Sequence, residues 1–327
     1  MQKLARRQLL IALGGVLCAP LASIAQRAPA RIPRIGILSP FSRGADAFRN
    51  ALMQRLQELG YNPGRNLEIE YRAAQGVADR LPQLAVELVA LKVDAIVTTS
   101  APGVQAAKQA TAEIPIIMAG VDDAVDQGFA ASLAHPGGNI TGTSWLNTEL
   151  SAKRVELLKR TLPRISRVAY LREAVGAASS LRAIDLAART LGIRLVIMEL
   201  RAPTEIDGVF AALAQERVGA LMVAQSPMIL GEESRIIGLA AKYRLPTIFA
   251  FRNSVEAGGL MSYGPKPAEL YRRAADFTDR ILKGAKPSNL PVEQPTSFEL
   301  VVNLKTAAAL GVKIPQEILV SADEIIG

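Results

Sequence analysis

Hydroxyl, amide and charged side chains follow apolar runs at regular intervals in this chain, and binding chemistry would sit at those run ends. Ser39, with Pro40-Phe41, follows the run Arg34 to Leu38; Thr99-Ser100 follows Ala95 to Val97; Gly120-Val121-Asp122 follows Ile114 to Ala119. Further along, Arg172 follows Arg167 to Leu171, Gln225-Ser226 follows Ala220 to Val223, and Phe251-Arg252-Asn253 follows Thr247 to Phe249. Hydroxyls and free backbone N–H groups at helix starts suit a carboxylate or other anion. Asp122 or Asp123 suits an ammonium at the opposite end of the same ligand, and Arg172 can grip a carboxylate by two parallel hydrogen bonds. Phe41, Phe251 or Tyr263 can stack on a ring or cover an apolar group, and Thr143 adds a hydroxyl near mid-chain. Structural alternatives stay open at the same positions. Ser39, Ser100 and Ser226 also read as helix N-caps, each contributing about 1 kcal/mol. Asp123 reads as a cap on the following turn, Arg172 as a surface charge and Phe251 as core.

The inventory argues against catalysis. His135 is the chain's one histidine and stands beside Pro136 in a turn, so a Ser-His-Asp triad or a multi-histidine metal site would hang on a single misplaced residue. No Gly-x-x-x-x-Gly-Lys-Ser/Thr loop and no Gly-x-Gly-x-x-Gly after a strand is present. Glu232-Glu233 opens a predicted helix after Gly231, where the helix dipole favours negative charge. Neither a cofactor nor a metal is expected. The basic excess does not indicate nucleic acid, because Lys and Arg alternate with Asp and Glu along helices such as Asp276 to Lys283 and no basic stripe carries interleaved aromatics.

The elements that must position these groups alternate strictly between strand and helix. In the first half, Arg34 to Leu38, Leu67 to Tyr71, Ala95 to Val97 and Ile114 to Ala119 read as strands, the second as an edge strand because apolar and charged residues alternate. Phe48, Ala51, Leu52, Leu56 and Leu59 fall at helical spacing until Gly60, and Leu81, Leu84, Ala85, Leu88 and Leu91 form a second helical face. The second half repeats the order, with strands at Arg167 to Leu171, Leu195 to Met198, Ala220 to Val223, Thr247 to Phe249 and Leu260 to Tyr263. The two halves also echo each other: Val93 to Pro102 is matched by Val218 to Pro227, and Ile114-Pro115-Ile116-Ile117 by Leu245-Pro246-Thr247-Ile248. Continuous apolar strands alternating with helices imply parallel sheets covered on both faces. Two such lobes facing each other at their strand carboxyl ends enclose a polar-lined cleft.

His135 to Thr143, a turn-rich stretch followed by a short β-like run, reads as the first crossing between lobes; Pro287 to Pro295 reads as a return crossing, after a helix carrying Leu270, Ala274, Phe277 and Ile281. The expected lobes are residues 32–143 plus 264–290 and residues 144–263 plus 291–327. Several crossings make a hinge that permits closure while limiting twist.

Residues 1–25 read as a signal peptide: Lys3, Arg6 and Arg7 precede an uncharged run from Leu9 to Ala25, and Ser23-Ile24-Ala25 offers a cleavage site. The run is short for a membrane span of about 20 residues and holds Gly14, Gly15 and Pro20. Arg6-Arg7 before Leu9-Leu10 fits the twin-arginine route as well as an ordinary leader. Removal lowers the formal charge from +8 to +5, since three of the 38 basic residues leave and all 30 acidic ones stay. The one cysteine, Cys18, leaves too, so the mature chain from Gln26 forms no disulfide and must rely on packing.

Segments throughout the mature chain resemble one family. Ile69-Glu70-Tyr71-Arg72, Asp79-Arg80-Leu81-Pro82, Pro136 to Gly142, Leu260 to Pro265, Leu270 to Ala275, Ile281 to Pro287, Leu290 to Thr296 and Asn303 to Ala307 match, in order, the substrate-binding proteins of a bacterial ABC-transporter family. The resemblance implies a type I periplasmic binding fold, an α/β architecture of two Rossmann-like parallel-sheet lobes, with no catalytic activity. It implies a small solute, an amino acid or related carboxylate with aromatic ones among the candidates, handed in the periplasm to a membrane permease by a monomeric receptor. The alternatives are a sensor subunit of the same fold and, more distantly, an exported α/β enzyme. The chain departs from the family pattern at Ala73 and Gln75, where Trp and Glu are usual, and at Asp122-Asp123-Ala124, where Gly-Asp-Pro is usual. If those positions touch ligand, specificity has shifted.

Overall fold

A computed structural model describes residues 31–41, 47–174 and 178–327. The expected leader, its cleavage site and Cys18 lie outside the described residues. Strands β1 (Arg34–Ser39), β2 (Glu68–Ala73), β3 (Ala95–Thr98), β4 (Ile116–Asp122) and β5 (Ile140–Trp145) form a first sheet in the order β2-β1-β3-β4-β5. Every pairing in it is parallel, and β2 lies at an edge with half-buried residues throughout. Strands β6 (Arg167–Glu173), β7 (Arg194–Leu200), β8 (Ala220–Val223), β9 (Thr247–Phe249), β10 (Met261–Gly264), β11 (Glu299–Asn303) and β12 (Glu324–Ile326) form a second, in the order β12-β11-β10-β9-β8-β6-β7. Only β10 and β11 run antiparallel.

Both sheets are covered on two faces because their strands are apolar on both. On the first sheet, α1 (Ala47–Glu58) packs beside a later helix, α10 (Pro267–Leu282), burying Phe48, Leu52, Leu56, Ala274, Phe277 and Ile281 against Ile35, Ile37 and Val97. The opposite face takes α2 (Leu81–Ala90) and α3 (Ala101–Ala110) through Leu84, Leu88, Val104 and Ala107. The second sheet carries α4 (Asn147–Thr161), α5 (Ala178–Thr190), α11 (Leu304–Leu310) and α12 (Gln316–Ser321) on one side. Its other side takes α6 (Ile206–Glu216) and α8 (Glu233–Lys242), with the short α7 (Pro227–Gly231) and α9 (Arg252–Glu256) at strand ends. Thus α10 lies on the first sheet although the strands before and after it belong to the second.

The first crossing differs from expectation. Residues 140–143 of the segment read as a connection belong instead to the fifth strand of the first sheet, which runs on to Trp145, so the chain leaves that sheet at Leu146. The reason is the backbone of Gly142, with φ +127°, where an added Cβ would lie 2.1 Å from the Met118 carbonyl oxygen. Glycine alone lets β5 approach β4 so closely. The return segment likewise stays on the first sheet through Glu293, whose N–H donates to Gly142 O and whose carbonyl accepts from Ser144 N. The crossings therefore fall at Leu146, at 265–266 and at 294–298, a few residues beyond the boundaries drawn from sequence. Gly142→Ala is expected to destabilise the protein by more than about 3 kcal/mol, since a backbone conformation costing 1–3 kcal/mol is joined by a clash with a fixed carbonyl. A thermal midpoint equal to the parent's would contradict that.

Candidate functional site

A cavity of about 330 Å³ lies between the carboxyl ends of the two sheets. Its first wall is built by a defect in β4. The β4–β5 register shifts between Ala119 and Val121, and Gly120 at the shift has φ +71°. Hydroxyls of β5 hold that bulge: Gly120 N donates to Thr143 Oγ1 at 2.8 Å, and Ser144 Oγ donates to Val121 O at 2.8 Å. Such a bulge re-aims the side chain that follows it, here Asp122, which lines the cavity. The indole of Trp145 lies directly on Gly120, where a Cβ would sit 2.6 Å from the ring. Phe251 backs the indole from the other lobe at 5.4 Å between ring centroids.

Beside this wall, Ser100 caps α3, its hydroxyl accepting from Gly103 N at 3.1 Å, and the neighbouring Thr99 Oγ1 is buried with no hydrogen-bond partner. Phe41 is aimed by Ser39, whose hydroxyl accepts from Phe41 N. The opposing wall comes from β6 and the β8 end: Tyr170, Arg172 and Glu173, then Gln225 and Ser226. Arg172 is 8 % exposed and reaches Glu199 at 3.5 Å. Ser226 caps α7 by accepting from Ile229 N while also facing the cavity. Capping and lining are thus compatible at Ser100 and Ser226.

Asp122 carries the site's electrostatics. Burial pushes its carboxyl up to about 7; the Asn147 side chain, by hydrogen bonding, and the more distant Arg154 pull it down, while Asp123 pushes it up. Its Oδ1 is buried without a partner. An unmet acceptor of this kind costs free energy until a donor arrives.

Of the residues singled out from sequence, Phe41, Thr99, Ser100, Gly120, Asp122, Arg172, Gln225 and Ser226 line the cavity. Ser39, Thr143, Phe251, Arg252, Asn253 and Tyr263 do not. Ser39 and Thr143 stand behind the wall and shape it. Phe251 supports Trp145, and the Tyr263 ring packs near Phe298 while its carbonyl accepts from Arg154 Nε at 2.8 Å. Arg252 pairs with Glu256 and Glu324 at the start of α9, because the fourth strand of the second lobe ends on the far side of Trp145. Asp123, with φ +41°, lines the cavity and accepts from Thr148 Oγ1. His135 is exposed in its loop. Sequence reasoning passed over Trp145, Asn147, Ser151, Tyr170 and Tyr271, all cavity-lining. Trp145 was within reach as the chain's one tryptophan, at the end of a short β run. Tyr271 looks like any other turn of an amphipathic helix.

Two α/β lobes joined by three crossings, with a cavity at the facing strand ends, define a solute receptor of the type I periplasmic binding fold. The chain belongs to the ABC transporter substrate binding protein family, whose sequence profile matches residues 34–326. This is a family of solute-binding proteins rather than enzymes, extracellular or periplasmic as a rule. A tyrosine-binding protein of Clostridioides difficile (strain R20291) is 27 % identical over 268 residues, 81 % of this chain and 76 % of that one. A Streptococcus pneumoniae structure solved in complex with L-Trp is 25 % identical with TM-score 0.84, covering 90 % of this chain and 99 % of that one. A ligand-free, open substrate binding protein with adhesive properties from Clostridium difficile has the same identity and coverage but TM-score 0.67.

Proposed function

We propose that this protein captures an aromatic α-amino acid in the inter-lobe cavity and delivers it to the membrane permease of an ABC importer. The observation that carries this reading is the pairing, in one cavity, of the unmet Asp122 carboxylate oxygen with the Trp145 indole and the Tyr170 ring. The ammonium meets Asp122, the carboxylate meets Thr99 and the start of α3, and the aromatic side chain lies against Trp145 and Tyr170, with Arg172 and Gln225 closing from the second lobe. The relatives that bind tyrosine and L-Trp support the ligand class. Residues 1–25 serve as the export leader, the mature monomer works in the periplasm, and residues 33–145 plus 267–293 move against the remainder. At equal identity and coverage the fold superposes better on the L-Trp complex than on the open form, which supports binding by lobe closure.

A thermal-shift series on refolded protein from Gln26 onward tests this. L-Tyr, L-Phe or L-Trp at about 100 times its dissociation constant is expected to add about 2.7 kcal/mol, which raises the midpoint by roughly 4 °C in a protein of this size. Aliphatic amino acids and sugars are expected to give little. A sugar or aliphatic hit with silence from all three aromatics would overturn the assignment.

A further inference from the structure

Arg154 is 2 % exposed and is not part of the cavity wall, yet it sits where two of the three crossings meet. Its Nε donates to Tyr263 O at 2.8 Å, on the strand that leads into the second crossing, and its Nη1 reaches Asn147 Oδ1 at 3.5 Å, just past the first. A third bond goes to Ser151 Oγ, one turn earlier on α4, at 3.2 Å. Packing there is tight: a Cβ on Gly264 would fall 2.2 Å from Ala250 O and 3.4 Å from Arg154 Nη2. All of these partners are uncharged. A buried guanidinium with no carboxylate in direct contact is costly unless a charge nearby offsets it, and the carboxylate it senses is Asp122 in the cavity. Asn147 stands between them, engaging Asp122 by its side chain and Arg154 through Oδ1.

We propose that Arg154 is a positioning residue that couples the charge state of Asp122 to the seating of the two crossings. When Asp122 is ionised and unpaired, Asn147 and Arg154 are both drawn toward it. When a proton or a ligand cation neutralises it, that pull is gone at the point where both crossings are anchored, and the hinge settles differently. The inference uses the cavity carboxylate but does not depend on which solute is bound. Other titratable groups facing Asp122 are Asp123 beside it and Tyr170 from β6; Arg172 faces Tyr170, and Tyr263 from β10 faces Arg154. Burial raises Tyr170 further above its already alkaline range, so it does not titrate near neutrality.

The test uses empty protein. Trp145, the sole tryptophan, reports Asp122 ionisation by fluorescence, and spin labels on Ala112→Cys and Ala241→Cys report lobe separation. The parent should show one fluorescence transition near pH 7, absent in Asp122→Asn, with the label distance changing in step. In Arg154→Met the transition should move up by at least one pH unit and the label distance should no longer follow it. Arg154→Lys should return the transition toward the parent's. If Arg154→Met does not fold, Asn147→Ala, which cuts the same link, should uncouple label distance from the transition. An unmoved transition in both Arg154 variants, or label distances that still follow it in Arg154→Met or Asn147→Ala, would overturn the proposal. Because no ligand is used, that failure leaves the solute assignment untouched, and a failed solute assignment leaves this test intact.

Discussion

Asp122→Asn is expected to abolish capture of an aromatic amino acid while making the empty protein more stable at pH 8. The two effects have one cause, a carboxylate buried in the cavity wall with an unmet oxygen. Removing one partner of a buried, hydrogen-bonded charge pair costs 2–5 kcal/mol, a loss of roughly 30- to several-thousand-fold in affinity. The stability effect has the opposite sign. An ordinary aspartate ionises near 3.8, and burial raises this one to about 7. Between those values the native carboxyl keeps a proton that the unfolded chain has released, so stability is fullest below about pH 4 and falls as pH rises through 7. Three units at about 1.4 kcal/mol each set an upper bound of ~4 kcal/mol on the cost of holding the ionised group in the empty cavity. Asparagine keeps the shape and lifts that cost. Calorimetry at pH 5 and 8 should find the variant's thermal midpoint further ahead of the parent's at the higher pH, and titration with L-Tyr or L-Phe should find no binding. Affinity in the parent should itself weaken as pH falls below 7. Undiminished binding by Asp122→Asn would remove the ammonium from this carboxylate.

The same residue shows how far the sequence reaches. Apolar runs mark β1, β3, β4, β6, β8 and β9, since parallel strands buried on both faces have little freedom of composition, whereas the edge strand β2 shows as an alternation of apolar and charged residues. The side chains at those run ends then reach the cavity wherever the strand's position in the sheet points them there, as for Asp122, Arg172 and Gln225. Sequence carries no sheet order, and order decides the rest. Phe251 and Arg252 follow a strand like the others, but β9 ends behind Trp145 rather than in front of it. The fifth strand shows in sequence only as a short β-like run within a crossing, for a different reason. Ile140-Thr141-Gly142-Thr143-Ser144 is polar and glycine-broken because its hydroxyls hold the β4 bulge and its glycine admits the Met118 carbonyl, demands visible only once the neighbouring strand is in place. Trp145 follows from that strand, and so was passed over with it. Asp122-Asp123-Ala124, a departure from the family pattern, lies at the cavity wall and next to it. A solute held at that wall would therefore meet residues that a family comparison alone would not supply.

Gly120→Ala tests whether that wall is as rigid as its packing implies. At φ +71° an alanine costs about 1–2 kcal/mol in backbone strain. Its methyl would also lie 2.6 Å from the Trp145 ring, well inside contact distance. The indole cannot retreat, because Phe251 stands behind it and the β5 backbone is fixed to β4, so relief comes by tilting into the space where the ligand ring would lie. The expected result is a stability loss of about 2–4 kcal/mol, by the cost of overpacking together with strain. Affinity should fall at least ~10-fold, and Trp145 emission should move toward that of a solvent-exposed indole. Trp145→Phe alone should weaken binding through lost ring contact but leave the backbone relaxed. Combined with Gly120→Ala, the smaller ring should recover part of the stability, giving a coupling energy of about 1 kcal/mol or more in a double-mutant cycle. Strict additivity of the two substitutions would mean that glycine is needed at position 120 for the bulge alone, and that the indole has room to move.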